Sequence, residues 1–374
     1  MAGIEYRMFF NDQPATREQL DRVEEITVEQ EVDMAWEARL QIPIRVDDQG
    51  KWKDENEPFL RSFGRVRVEL KIADRPFVAL IDGPIVGRDS QRTSEPNKSM
   101  LTLLVHDDSV YLNRQDSISR FDDKLDYEIA EQIFGEVGQI ADTDIEETPA
   151  TGSALPPVVV QRGTAIQILR ALARRHHMHA YVLPGENPGE SVGCFKAFPT
   201  GLDGLPPLTL LGSDRNIESF NVRENSQSPS NVTAFTLRIK DKAVVTSSSR
   251  YRDLDLLGEE AAFENEPETT EETLPPQQGE TVALDQAVKA RADRTSYAFE
   301  VEGSVRGNCY PAVLEPYRLV KVKLGTTADS GTGLITKVTH SLTRSQYTQS
   351  FSLQRNARSS TSNGDLTNVV GKIF

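Results

Sequence analysis

Val66-Arg67-Val68-Glu69-Leu70-Lys71-Ile72 alternates an apolar residue with a charged one at every step. A period of two is the repeat of a β-strand, whose successive side chains point to opposite faces. The stretch reads as a strand with Val66, Val68 and Leu70 on a core and its charges in water. Glu25-Ile26-Thr27-Val28-Glu29-Gln30-Glu31-Val32 and Trp36-Glu37-Ala38-Arg39-Leu40-Gln41-Ile42-Pro43-Ile44 repeat the pattern upstream. Downstream, Phe77-Val78-Ala79-Leu80-Ile81 runs into Asp82-Gly83-Pro84, a turn signal, and Ile85-Val86 starts another strand. Residues 99–106 add one more. Short strands with turn residues between them predict a small barrel over residues 1–115.

The character changes after residue 115. Asp126-Tyr127-Glu128-Ile129-Ala130-Glu131-Gln132-Ile133-Phe134 puts Ile129, Ile133 and Phe134 on one helical face. Residues 135–157 are polar and bear Pro and Gly, which predicts a flexible connection. A second helix starts after Thr164 as N-cap, with an apolar stripe at 165, 168, 169, 172 and 173. Strands resume at 180–183 and 194–198, so residues 116–215 read as an α+β middle domain.

From residue 216 the β-pattern returns. Residues 216–358 read as a second barrel, with strands at 297–305, 319–324, 334–342 and 347–353 and a short helix at 283–291. Within it, residues 259–281 hold eight Glu, three Pro and no Lys or Arg. Such a block cannot bury enough surface to offset its ordering entropy, which predicts a mobile loop. Residues 359–374 form a tail whose end, Val369-Val370-Gly371-Lys372-Ile373-Phe374, is apolar enough to dock on a neighbour.

A length of 374 residues suits two or three domains. With 42 Lys+Arg against 57 Asp+Glu the net charge is -15, which argues against phosphate-backbone binding, a task for clustered Lys and Arg. No apolar run approaches the ~18 residues of a membrane span, and Met1-Ala2-Gly3-Ile4-Glu5-Tyr6-Arg7 lacks the basic-then-apolar order of a secretory signal. Neither membrane insertion nor nucleic-acid binding is therefore expected. Two cysteines, Cys194 and Cys309, make no disulfide scaffold and suit a reducing compartment.

Candidate chemistry is sparse. Arg174-Arg175-His176-His177-Met178-His179 places histidines within reach of one metal, but no carboxylate shares the turn and HExxH is absent. The run is read instead as cations complementing a helix C-terminus. Gly303-Ser304-Val305-Arg306-Gly307 has its serine misplaced for a nucleophile elbow, and Gly371-Lys372 is misspaced for a phosphate loop. Asp107-Asp108 and Asp122-Asp123 are read as solvated loop acids rather than an acid–base pair. No catalytic residue, metal or cofactor is expected.

The order of elements nevertheless has a specific likeness. Leu314-Glu315-Pro316-Tyr317-Arg318-Leu319-Val320-Lys321-Val322, Gly333-Leu334-Ile335-Thr336-Lys337-Val338-Thr339-His340 and Tyr347-Thr348-Gln349-Ser350-Phe351-Ser352-Leu353-Gln354-Arg355 follow one another here. They resemble the end of the hub module of phage late-control protein D and of the valine-glycine repeat spike proteins of type VI secretion. Residues 105–114, 121–130 and 161–182 are similar to further segments of that family. Three letters depart from its pattern: Tyr317 and His177 stand where the family carries glycine, and Leu334 replaces its usual aromatic neighbourhood.

The resemblance implies a mainly β fold with α+β insertions. Its two small β-barrel domains per chain form, in a homotrimer, a pseudo-sixfold ring. It implies a structural baseplate hub of a contractile phage tail or related injection system, assembled in the cytoplasm. The hub adapts a hexameric inner tube to a trimeric spike, and other baseplate proteins are further partners. With no repeat following the hub module here, the spike is expected to be a separate protein. Val66, Val68, Leu70, Tyr347, Phe351 and Leu353 are expected to build or line the ring, and Val369, Val370, Ile373 and Phe374 to clamp a neighbour. The alternatives are a soluble β-rich binding module or a tail-associated cell-wall hydrolase.

Overall fold

The computed structural model describes residues 3–53, 57–95, 98–149, 158–238, 242–262, 270–275, 281–306 and 309–359. Val66, Val68 and Leu70 are fully buried in the strand Arg65–Ile72, as the alternation requires. That strand pairs on one side with Ile4–Phe10 and on the other with Val78–Gln91. The charged positions depart from expectation. Arg67 and Glu69 are buried as well, so this strand is covered on both faces. The cover is the 185–191 loop of the middle unit, whose carbonyls Arg67 reaches.

Asp82-Gly83-Pro84 does not turn the chain. The strand Val78–Gln91 runs straight through it, leaving Arg65–Ile72 at Pro84 and pairing with Met100–His106 from Ile85 onward. Glycine is required at this change of partner, because a Cβ on Gly83 would lie 1.9 Å from the His106 carbonyl oxygen.

Thirteen strands form one continuous sheet. Its order is Ile217–Glu224, Phe299–Val305, Tyr347–Arg355, Gly331–Thr343, Glu25–Glu31, Glu37–Pro43, Met100–His106, Val78–Gln91, Arg65–Ile72, Ile4–Phe10 and Gln13–Pro14. Leu319–Lys323 pairs with Gly331–Thr343, and Leu208–Thr209 with Leu319–Lys323. The fold is mainly β, as expected. The two β units are not separate sheets, however, but halves of one ladder joined where Gly331–Thr343 runs antiparallel to Glu25–Glu31. A core lies along each half. The first gathers Met8, Leu40, Val66 and Leu103 together with Val313, Leu342 and Tyr347 from late in the chain. The second holds Val301, Tyr310, Val320, Ile335, Phe351 and Leu353.

A file of buried polar side chains marks the seam. His340, fully buried, faces Val28 in the register, with Nδ1 2.8 Å from the Tyr347 hydroxyl and Nε2 3.2 Å from Gln30 Oε1. Gln30 in turn donates to the Leu80 carbonyl at 2.8 Å. A neutral imidazole protonated on Nε2 satisfies both neighbours, accepting from Tyr347 and donating to Gln30. A slipped register would bury these groups without partners, so the file selects one alignment of the two halves.

The described residues include five α-helices: α1 (Arg17–Arg22), α2 (Ser109–Leu112), α3 (Asp126–Gly135), α4 (Ala165–Arg175) and α5 (Thr281–Ser296). The middle unit closes its own core with Ile129, Ile133 and Phe134 of α3 and Leu169 and Leu172 of α4. The expected flexible connection at 135–157 is corrected in part. Ile140–Ile145 is a strand, parallel to Ser191–Lys196. The acidic stretch 259–281 is likewise partly ordered by pairing: Glu260–Ala261 pairs with Ala357–Arg358, and Glu271–Thr273 with Asn231–Arg238. Composition misled here because a ladder is satisfied by backbone groups whatever the side chains are. Residues 216–358 also hold more than a barrel. The hairpin Asn231–Arg238/Ala243–Arg250 stands off the main sheet and packs on α5 through Val232, Ala234, Leu284, Val288 and Ala292.

Burial holds the His340 imidazole down to about 3, whereas an unfolded one titrates near ~6.5. Its stabilising contribution is therefore complete at neutral pH and is lost as pH falls through that window. The melting temperature should drop between pH 7 and pH 4.5, and by less in His340→Gln. Equal drops in both proteins would show that His340 plays no part in the acid sensitivity.

Candidate functional site

The functional geometry of this chain is a joint at which its three units meet, and the strand Arg65–Ile72 supplies one wall. Arg65 sends Nε to Asp82 Oδ1 at 2.7 Å and forks onto Asp108, with Nη1–Oδ1 at 2.9 Å and Nη2–Oδ2 at 2.6 Å. Arg67 donates to Glu69 at 2.6 Å and to Asp82 Oδ2 at 3.0 Å. Its remaining N–H groups reach the carbonyls of Gly185, Glu186 and Asn187. Arg7, on the neighbouring strand, also pairs with Glu69.

The middle unit returns bonds of its own. Ser191 Oγ donates to Asp108 Oδ2 at 2.6 Å, and the Gly189 N–H to Asp82 Oδ2 at 3.1 Å. Gly189 has φ +88°, and a Cβ there would meet Asp12 Oδ1 at 2.8 Å, so the loop can approach the acids only as glycine. Burial by itself disfavours the Arg65 charge, but Asp108 and then Asp82 outweigh it and raise its pKa further. Bidentate guanidinium–carboxylate pairing is the geometry that best repays desolvation of both ions.

Asp107-Asp108 is thus no solvated pair, since both carboxylates are buried. Asp107 accepts the N–H of Trp36 at 2.6 Å and of Ser109 at 2.9 Å. Burial pushes its pKa up to about 6. Asp122 and Asp123 are exposed, as expected.

The histidine run forms the second wall. His176 Nε2 lies 2.8 Å from Asp126 Oδ2 at the start of α3. His177 pairs with Asp293 of α5, and His179 Nδ1 lies 2.9 Å from Asp33 Oδ1 in the first unit. Three imidazoles thus go to three carboxylates on three different elements. Among the described residues no three His, Cys, Asp or Glu side chains converge on a metal position. Burial works against ionising Asp33, but the hydrogen bond and charge of His179 prevail and leave its pKa below the usual carboxylate range.

Both departures from the glycine pattern sit in this joint. His177 has φ 60° and Tyr317 φ 61°, the left-handed region that a glycine enters freely and a bulky residue does not. Each spends that strain on a contact glycine cannot make. The Tyr317 ring stacks on Tyr181 of the middle unit, centroids 3.6 Å apart and planes 7° from parallel. Its hydroxyl accepts the Asp33 N–H at 2.8 Å. His179 completes the cluster, stacked 3.9 Å from Phe198. A cavity of about 200 Å³ lies beside these groups, lined among others by Asp33, His177, His179, Phe198, Arg294 and Tyr297.

The side chains expected at an assembly interface are placed differently. Val66, Val68, Leu70, Phe351, Leu353 and Tyr347 are buried within the cores of a single chain and build the sheet from inside. They offer no side-chain surface to a neighbour. Val369, Val370, Ile373 and Phe374 lie outside the described residues. Cys194 is buried and its thiol is pushed by burial up to about 12, which suits a packing residue and no nucleophile. Sequence reasoning missed Arg65, Arg67, Asp82 and Asp108 as a group. The only signal was the charge alternation around Arg67, and the partner of Arg65 lies 43 residues away.

No family model matches the chain, and no curated protein matches it. Solved structures do. A tail protein from Neisseria meningitidis shares the fold at TM-score 0.65 and 14% identity, over 94% of this chain and 97% of that one. The 43 kDa tail protein of prophage MuSo2 from Shewanella oneidensis does so at TM-score 0.67 and 14% identity, over 95% and 99%. An Escherichia coli component of the type VI secretion system, described as structurally similar to the T4 tail proteins gp27 and gp5, matches at TM-score 0.55 and 13% identity, over 94% and 76%. At such identities the shared property is the fold, one found in phage tail proteins and in this secretion-system component.

Arg65→Met should lower unfolding stability by about 3–5 kcal/mol, because it leaves Asp108 buried without its cation and Asp82 with Arg67 alone. Adding Asp108→Asn should recover part of the loss in a denaturant titration, since the two sites are coupled. Strictly additive losses would show that the pair is not coupled. Tyr317→Gly should relieve the backbone but free the middle unit, read as faster amide exchange at 177–198. Tyr317→Phe should keep the stack and cost about 1 kcal/mol for the lost hydrogen bond.

Proposed function

We propose that this protein is the structural hub of a contractile phage tail or a related injection system, working as a homotrimer that joins a six-fold inner tube to a three-fold spike. The observation that carries the reading is the match along nearly the whole length of two tail proteins, not of one domain. The architecture supports it further. Two β units with separate cores share one ladder, so three chains would present six similar units around an axis, the number a hexameric tube requires.

The joint gives the hub its mechanical character. A tube-to-spike adaptor bears load along the axis, and hydrogen bonds linking the buried Arg67 and Asp108 to the 185–191 loop, with a stacked aromatic cluster, hold the middle unit against both β units. The role is proposed as non-catalytic, because the buried acids Asp107 and Asp108 are committed to backbone, serine and arginine partners. Among the described residues no helix is long and apolar enough to cross a membrane.

Analytical ultracentrifugation at micromolar concentration, alone and with candidate tube and spike proteins, tests the reading. The expected species has about three times the 41.7 kDa chain mass. A chain that stays monomeric in every combination, or a deletion strain that still assembles complete tails, would overturn it.

A further inference from the structure

We propose that Phe63, Arg114, Tyr111 and Arg61 form an exposed docking site for an acidic segment of a partner protein. The proposal goes beyond the hub reading and stands whatever the oligomeric state of the chain.

Phe63 has φ 61°, the same left-handed backbone as Tyr317, yet it is 57% exposed. Tyr317 and His177 spend that conformation on contacts inside the chain. Phe63 spends it on holding an aromatic ring out to solvent. A backbone state that bulky residues avoid, kept at an exposed aromatic, points to a use outside the chain. The loop itself is well fixed. The Phe63 N–H donates to the Ile85 carbonyl at 2.8 Å, and the Ile85 N–H to the Gly64 carbonyl at 2.8 Å. The Gly64 N–H closes the turn on the Arg61 carbonyl at 2.9 Å. An aromatic fixed before binding loses little freedom when a partner covers it.

The patch is assembled by the buried ion network. Arg65 follows Phe63 by two residues, and Asp108 opens α2, which carries Tyr111 and runs on into Arg114. The fork of Arg65 on Asp108 therefore draws the two segments together. At the surface the Arg114 guanidinium lies 5.3 Å from the centre of the Phe63 ring and 5.8 Å from that of Tyr111. A guanidinium resting on aromatic faces keeps its N–H edge free for a carboxylate.

Charge identifies the occupant. Arg114 and Arg61 are exposed, and neither pairs with a carboxylate among the described residues. Nearby acids are committed: Asp108 to Arg65 and Ser191, Asp12 to Arg65, and Glu57 to Arg22. Only Asp116, which opens the next strand opposite Thr164, stays exposed close by in the chain. Two free cations around an exposed ring, in a chain of net charge -15, complement an acidic segment. Arg and Tyr are also the residues over-represented among binding hot spots. Two arginines are too few to follow a phosphate backbone, so the occupant is a protein segment rather than a nucleic acid.

Fluorescence anisotropy with labelled probes on the full chain tests the site. The probes are a pentapeptide of four glutamates around a leucine, its glutamine and lysine counterparts, and a short oligothymidylate. The glutamate peptide should bind about tenfold tighter than the glutamine one, an advantage that shrinks as salt rises. Phe63→Gly should weaken it about tenfold with no lower melting temperature, because glycine enters this backbone freely. Phe63→Tyr should keep the affinity, and Arg114→Glu should turn the preference toward the lysine peptide. Equal binding of the glutamate and glutamine peptides, or tighter binding of the oligothymidylate, overturns the acidic segment as occupant. Full affinity in Phe63→Gly overturns the site. A lower melting temperature there shows that the ring is structural and overturns it as well. An oligomer that dissociates on Arg114→Glu makes the occupant a second copy and likewise overturns the proposal.

Discussion

Arg65 and Arg67 carry charges that water barely reaches, and the groups that neutralise and hydrogen-bond this cluster come from three other stretches of chain. Asp82 comes from the next strand, Asp108 from the end of Met100–His106, and the carbonyls of 185–187 and the hydroxyl of Ser191 from the middle unit. A half-built version of this arrangement leaves ions buried in low dielectric, which is worse than leaving the region open. The network therefore couples closure of the first β unit to docking of the middle one. It ties together segments that lie more than 80 residues apart in the chain.

The second joint reaches the same end by different means. At His177 and Tyr317 the backbone occupies a conformation that a glycine enters without strain, and the chain accepts about 1 kcal/mol at each for a side chain in the seam. Tyr317 touches two units at once, through its ring on Tyr181 and its hydroxyl on the Asp33 amide. What the left-handed backbone at His177 secures is the contact to Asp293 on α5. Each unit is thus held by directional contacts and not by apolar area alone.

Much of the architecture was legible before any coordinates. The helices around Ile129 and Leu169, the Thr164 N-cap and the strand Arg65–Ile72 all follow from periodicity, because amphipathic repeats report one buried face directly. Other readings failed for an identifiable reason. Asp82-Gly83-Pro84 carries the residues of a turn, yet the glycine serves a close crossing under His106 and the strand continues. The stretches around Ile140 and Glu271 are too polar to announce strands, and backbone pairing with distant partners orders them. Asp108 looked like a surface acid because its partner, Arg65, is invisible to any local window.

The sequence by itself determined the local elements, the mainly β class and the order of motifs that resembles the tail-hub family. These depend on short-range patterns of side-chain polarity, which a linear reading captures. Only the tertiary structure decided that the two β units share one ladder, that Arg67 and Glu69 are buried rather than solvated, and that Val66, Val68, Leu70, Tyr347, Phe351 and Leu353 are core. The physical reason is the same in each case. Whether a charge or an edge faces water depends on what packs over it, and here the covering segment lies more than 100 residues away.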